Sequence, residues 1–386
     1  MKFKLSFIRT LFILLGSVLI FGAFTKIKSN KNLSSGLTLK NMDPSVRPGD
    51  NFNAYVNGTW MKNTKIPADK ASYGIAYMIH EKAQEDVKAI IENAAKGKFA
   101  DGSDEQKIGD FYGAFMDTLA RDQIGISPLL PEYQKIDAIA NYNDLAAYFG
   151  YANKSGINTP FAIGVVEDFK DPTQYMLYTW QSGLRLPDRE FYFLDDVKSK
   201  EIRRKYVIHI QNMLQLGGIP NSTELAPKIM ALETTLAAKQ MKKEETRDYV
   251  KLYNKYALKN LDQLMPDFAW TSMLNNAGII GQKNIVVTQV EYIKSLNNII
   301  KTTPLDTWKA YLKWSAIHAA SRSLNTDLNT ENFDFYGKTL WGVQTQLPLW
   351  RRGVDKVNNN LGEIIGKVYV KKHFQPETKE KVTILV

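Results

Sequence analysis

The chain has 386 residues, 44% of them apolar and 23% charged, a balance that supports a sizeable core and a body larger than one small domain. It contains no cysteine, which excludes disulfides, thiolate metal sites, a cysteine nucleophile and a lipid-modified amino terminus. The formal charge of +10 falls to +7 once Lys2, Lys4 and Arg9 are set aside. The basic doublets that remain (Arg203-Arg204, Lys242-Lys243, Arg351-Arg352, Lys371-Lys372) are scattered among acids, so no nucleic-acid partner is expected.

Lys2, Lys4 and Arg9 precede an uncharged, strongly apolar run from Thr10 to Thr25, the pattern of an export segment. A spanning helix needs about 17–25 apolar residues, and this run is slightly short for that. Residues 1–25 therefore read as a signal peptide or membrane anchor, with the length favouring the first. Either one places the body outside the cytoplasm: periplasmic, secreted or membrane-anchored. Residues 26–42, rich in Lys, Ser and Asn, read as a flexible tether.

From Asp43 the pattern becomes globular. Ile108, Phe111, Tyr112, Phe115, Met116 and Leu119 recur at three- and four-residue steps, predicting an amphipathic helix over 104–119. Residues 203–216 repeat the pattern until Gly217-Gly218 stops it, as do 225–241 and the stretch around Leu361, Ile364, Ile365 and Val368. Phe161–Val166 and Tyr175–Trp180 flank Asp171-Pro172 and read as a hairpin, with Ile285–Val290 as a further strand. Pro376 opens a last helix-like segment whose apolar face is still forming at Val386, so the chain is expected to stop inside an unfinished element. The fold class is mainly α, a multi-helix body with a small β-hairpin element.

The histidines are His80, His209, His318 and His373. A helical zinc peptidase site needs histidines four apart and a glutamate beside the first. His80-Glu81 begins that motif, but Gln84 stands in the second place and is a poor zinc ligand. His80 and His373 read as surface residues, and His209 and His318 as satisfied, partly buried ones. No G-x-S-x-G elbow and no phosphate-cradling glycine loop occurs. No catalytic and no metal-binding residue is assigned to this chain.

Asp43-Pro44, Pro48-Gly49-Asp50-Asn51-Phe52, Tyr55-Val56-Asn57-Gly58-Thr59-Trp60, Ile66-Pro67 and Tyr73-Gly74 together resemble the opening of neprilysin-family zinc metallopeptidases, the group that includes endothelin-converting enzymes. Gly183-Leu184-Arg185-Leu186-Pro187-Asp188-Arg189-Glu190-Phe191-Tyr192 is similar to that family's Gly-Leu-x-Leu-Pro-x-Arg-[Asp/Glu]-Tyr-Tyr segment. Ile229–Lys239 with Arg247-Asp248 and Leu252-Tyr253-Asn254, then Trp350-Arg351-Arg352 with Gly366–Val370 and Phe374, continue the likeness in order. Animal relatives carry cysteines at the places of Gly49, Asn57 and Gly353, so the resemblance is to a cysteine-free bacterial branch. An arginine that holds the substrate's carboxyl end in some relatives would fall near Ser72, and that contact is not carried over.

The resemblance implies that residues 43–386 are the amino-terminal helical domain, which caps a thermolysin-like catalytic domain and encloses a peptide chamber. The family's zinc-binding H-E-x-x-H helix lies beyond the last residue here. Zinc is thus implied for the full-length family and not for this chain, which is expected to be inactive alone. Peptide substrates and the catalytic domain are the implied partners. Trp60, Arg185, Pro187, Asp188, Arg189, Trp350 and Arg351 are candidates for structural or domain-interface roles. Two other readings are a stand-alone exported peptide-binding protein and an exported glycan-binding protein. The Gly183–Tyr192 segment argues against the glycan binder.

Overall fold

The computed structural model describes residues 37–385. The expected signal peptide or anchor at 1–25, and the tether as far as residue 36, lie outside them. The chain divides into two compact units, one ending at Lys65 and one beginning at Ile66.

In the first unit, Leu39–Asn41 form a 3-10 turn and α1 spans Phe52–Asn63. Asn51 caps α1 by accepting from the Ala54 N–H at 2.9 Å, satisfying one of the free donors of the first turn. Asp43 accepts from Lys62 at 2.7 Å and from the Ser45 hydroxyl, and these bonds lower its pKa to about 2. Gly58 packs so closely on Asp43 that a Cβ would fall 2.7 Å from the Asp43 Cβ. Gly58 is therefore a helix packing contact.

The second unit contains α2 (Ile75–Lys96), α3 (Asp104–Met116), α4 (Thr118–Ile124), α5 (Leu130–Asp137) and α6 (Tyr142–Lys154), followed by β1 (Phe161–Asp168) and β2 (Asp171–Gln181). Next come α7 (Val197–Leu216), α8 (Ser222–Lys239), β3 (Lys255–Ala257), α9 (Trp270–Asn276), β4 (Asn284–Val287), α10 (Val290–Thr302), α11 (Leu305–Ala320) and α12 (Thr326–Phe333). A π-helical turn, Asp334–Leu340, leads to α13 (Leu349–His373) and α14 (Pro376–Leu385).

The helix predicted over 104–119 breaks where Asp117 stops α3 and caps α4 by accepting from the Ala120 N–H at 2.9 Å. That break leaves Leu119 76% exposed, off the face its spacing implied, and Phe111 is also at the surface. Asp196 caps α7, and Gly217 with Gly218 (φ +73°) ends it. The predicted hairpin belongs to a sheet of order β1-β2-β4-β3, in which β1–β2 and β4–β3 are antiparallel and β2–β4 is parallel. Val290, expected in a strand, opens α10 instead.

Two apolar cores hold this unit together. The larger joins α5–α12 and the sheet around fully buried Phe149, Phe161, Tyr206, Trp308, Tyr311 and Trp314. The smaller is a three-helix contact in which Ile91 and Ala94 of α2, Ile108 and Tyr112 of α3, and Val354, Val357 and Ile365 of α13 meet. Non-helical backbone at Leu361 (φ −127°, ψ 26°) kinks α13 between Val357 and Ile365.

Candidate functional site

The Gly183–Tyr192 segment folds over one buried carboxylate. Glu233 lies on α8 among Ile229, Leu232, Leu236 and Ala237, the buried positions of an amphipathic helix, and has no exposed surface. Tyr192 donates to Glu233 Oε2 at 2.6 Å, Tyr206 of α7 donates at 2.8 Å, and the Trp314 indole N–H of α11 donates at 3.3 Å. Burial raises the Glu233 pKa to about 7 against these donors and the field of Arg185. The Tyr192 oxygen also accepts from the backbone N–H groups of Arg185 and Leu186, both at 3.3 Å, which fixes the segment to the carboxylate.

The flanking residues hold the chain in place. Asp188 caps the 3-10 turn Arg189–Tyr192 by accepting from the Glu190 N–H at 2.9 Å. Arg189 donates to the Ala237 carbonyl at 3.0 Å and pairs with Glu190 at 2.7 Å. Arg185 donates weakly to the Ser315 carbonyl, while its Nε has no protein partner. Gly183 (φ +99°) leaves no room for a side chain, since a Cβ would meet Pro160 Cα at 2.9 Å. Pro187 is exposed.

His209 and His318 sit beside this cluster. His209 is almost fully buried, pairs with Glu331 at 2.9 Å through Nδ1, and has no partner at Nε2. His318 packs edge-on against Trp314 and Tyr336, and its Nδ1 is unpartnered. Burial lowers both pKa values, so both rings are neutral near pH 7. Neither has the fully satisfied ring that the sequence suggested.

Trp350 and Arg351 lie elsewhere, at the start of α13. Arg351 is buried and pairs with Glu81 of α2 at 3.2 Å; Lys70 reaches Glu81 at 2.7 Å and Asp69 at 3.1 Å. Lys70 and then Arg351 lower the Glu81 pKa. The Lys88 ammonium lies 4.6 Å from the centre of the Trp350 ring. Trp60 is half-buried in the first unit. The seven candidates thus separate into the Glu233 cluster, the Glu81 network and the first unit.

His80 is exposed and its Nε2 lies 3.3 Å from Gln84 Nε2. No group of three or more His, Asp or Glu among the described residues could hold a metal ion. The described residues therefore do not fit a zinc centre. Among the described residues no helix is long and apolar enough to cross a membrane.

Sequence reasoning missed a pocket of about 380 Å³ between α12, the π-helical turn and α13. Phe333, Tyr336 and Trp341 form apolar walls, while Arg322, Arg352 and Lys356 line it with positive charge. The Arg351-Arg352 doublet was its only sequence signal.

The fold is a mainly helical domain built around a buried carboxylate cluster, and comparison with known proteins places it in a family. Residues 48–386 match the model of the amino-terminal domain of peptidase family M13, and the chain belongs to that family. It is similar in structure to the Mycobacterium tuberculosis zinc metalloprotease Zmp1 in complex with an inhibitor, with TM-score 0.86 and 32% identity, covering 92% of this chain and 54% of that one. In sequence it is 25% identical to human endothelin-converting enzyme 1 over 364 residues, covering 90% of this chain and 46% of that protein. Mouse endothelin-converting enzyme-like 1 is 24% identical over 362 residues, with 90% and 46% covered. The chain spans about half the length of the curated relatives it matches. The expected family and the mainly α class with a small sheet are both borne out.

Proposed function

We propose that this chain supplies the amino-terminal, helical part of a zinc-dependent metalloendopeptidase that acts on small peptides, and that its packed helices wall the substrate chamber. The observation that carries this reading is the shared fold with a zinc metalloprotease over 92% of this chain but only 54% of that one. A size filter needs rigid walls, and the two apolar cores with the Glu81 network provide them. Zinc, water activation and bond cleavage would belong to the other part of the enzyme. Trp60, Arg185, Pro187, Asp188, Arg189, Trp350 and Arg351 act in this reading as turn-fixing and domain-positioning residues. The body would work outside the cytoplasm, delivered by the apolar segment at 1–25.

The test begins by reading the coding frame beyond codon 386 for an H-E-x-x-H segment. The two parts are then produced together and assayed on a quenched fluorescent peptide. Cleavage that requires both parts and is abolished by a chelator is expected. No zinc-dependent cleavage by the pair, with peptide binding by this chain alone, would overturn the enzyme reading in favour of a peptide-binding protein.

A further inference from the structure

The pocket beside α13 has an unbalanced charge. Arg352 and Lys356 lie four residues apart on one face of α13, and Arg322 reaches the same space from the turn after α11. No ion pair among the described residues involves any of the three cations. Arg352 spends its Nε on the Leu347 carbonyl at 3.1 Å and Nη1 on the Asn329 amide oxygen at 3.2 Å, both neutral acceptors. Half-burial, then the fields of Arg322 and Arg121, push the Lys356 pKa down, as expected where like charges converge.

Two acids share the lining, and neither balances this cluster. Asp69 pairs with Lys70 at 3.1 Å. Asp355 faces the fields of Arg351 and His80, and burial raises its pKa. The Asn332 side chain, 96% buried on the same wall, has an amide oxygen with no hydrogen-bond partner. Turned over, that amide presents its NH₂ to an anion. Holding several cations together without a counter-charge is costly, and a pocket of about 380 Å³ is of small-ligand size.

We infer that this pocket is a binding site for a small dianionic oxyanion of the phosphate-monoester class, with Arg322, Arg352 and Lys356 on its oxygens and its organic body against Phe333 and Trp341. The Arg322 guanidinium fork, the Nη2 of Arg352 and the Lys356 ammonium suit tetrahedral oxygens carrying two charges, whereas a lone carboxylate would leave more of the positive charge uncompensated. Trp341 is 57% exposed at the pocket and offers a face for an aromatic or apolar body. Every residue that lines the site belongs to this chain.

Calorimetric titration of the full chain with phenyl phosphate, inorganic phosphate and benzoate tests the assignment. Phenyl phosphate is expected to bind once per chain and saturably. It should bind at least about tenfold more tightly than benzoate, which has the same ring and one charge, and more tightly than inorganic phosphate, which lacks the ring. Lys356→Met, which keeps the apolar stem, and Arg322→Gln, at an exposed position, should each weaken phenyl phosphate about tenfold. Lys98→Gln, on the open surface, should not change it. Melting curves without ligand establish that the variants fold, and Arg322→Gln suffices if Lys356→Met does not. Equal affinity for phenyl phosphate and benzoate overturns the dianion assignment. Undiminished affinity in folded variants, or no heat of binding at millimolar ligand, overturns the site.

Discussion

Tyr192 and Glu233, 41 residues apart, share a 2.6 Å hydrogen bond inside the larger core, and the same tyrosine oxygen accepts from the backbone of Arg185 and Leu186. One hydroxyl therefore ties the most family-like segment of the chain to a carboxylate that has no contact with solvent. Replacing Tyr192 by Phe removes both functions and leaves Glu233 with fewer donors. The expected loss is about 1–3 kcal/mol in urea unfolding, with the slope of the transition unchanged. A loss below about 0.5 kcal/mol would show that the bond does not secure the segment.

Glu233 also makes stability depend on pH. Its folded pKa of about 7 lies above the ordinary 4.5, so between those values the folded state binds more protons than the unfolded one. Its contribution is complete below about pH 4.5 and is lost as pH rises through 7, by up to roughly 3 kcal/mol. His209 and His318 act in the opposite sense, because their lowered pKa values remove stability as pH falls below the ordinary 6.5. The clean observable is therefore the difference between wild type and Glu233→Gln, measured by urea unfolding from pH 4.5 to 8. The variant should gain relative to wild type as pH rises, and parallel curves would contradict the assignment.

Arg351 and Glu81 give an unequal pair of substitutions. Arg351→Met leaves Glu81 with Lys70 and with partial exposure, and should cost about 1–2 kcal/mol. Glu81→Gln leaves Lys70 and Arg351, whose side chains are 7% and 11% exposed, without a direct ion pair for Arg351 and with Asp69 alone on Lys70. That change should cost more, about 2–4 kcal/mol. The double variant should show a coupling of about 1 kcal/mol or more in a thermodynamic cycle. The reverse order of the single costs would mean that Arg351 holds α13 chiefly through contacts other than Glu81.

Features that a short window can specify were legible in the sequence. Apolar spacing placed α7, α8 and α13, and Gly217-Gly218 marked a helix end. Asp117 was not recognised as a stop because the apolar period runs through it, yet its carboxylate caps α4 and turns Leu119 to solvent. β3 is three residues long, too short for alternation, and exists because β4, itself paired with β2, pairs with it on its other edge. Glu233 carried a local sign, a carboxylate at a core position of α8, but its tyrosine and tryptophan donors come from three other segments. The cationic pocket draws on residues from Asp69 to Asn359, a grouping that only the tertiary fold creates.

Two glycine substitutions should have opposite signs. A Cβ on Gly150 of α6 would lie 2.0 Å from the Met273 carbonyl oxygen and 2.9 Å from the Ala277 N of the α9 region. Those are backbone atoms, so the helices must separate, and Gly150→Ala should cost about 3 kcal/mol. Gly113 of α3 is exposed and has nothing within 4 Å of the Cβ position, so Gly113→Ala should stabilise by up to about 1 kcal/mol. Unfolding midpoints of the two variants decide the matter. Similar effects in both would show that close approach at α6 is not what requires Gly150.

The first turns of α2 present an apolar face to solvent. Ile75 and Ile79 are 69% and 65% exposed and stand four residues apart, with Met78 beside them, also exposed. A contiguous exposed face of this kind drives association, because burying it removes apolar area from water. Ile75→Glu with Ile79→Glu should reduce concentration-dependent association in sedimentation velocity. The folded state should change by no more than about 0.5 kcal/mol, since neither side chain is buried. A carboxylate in the first turn also meets the positive end of the helix dipole, which offsets part of the lost helix propensity. Added sulfate strengthens apolar association and screens ion pairs, so it should promote self-association of the wild type and have less effect on the variant. Association unchanged by the two glutamates, or abolished by salt in the wild type, would locate the contact on a charged surface instead.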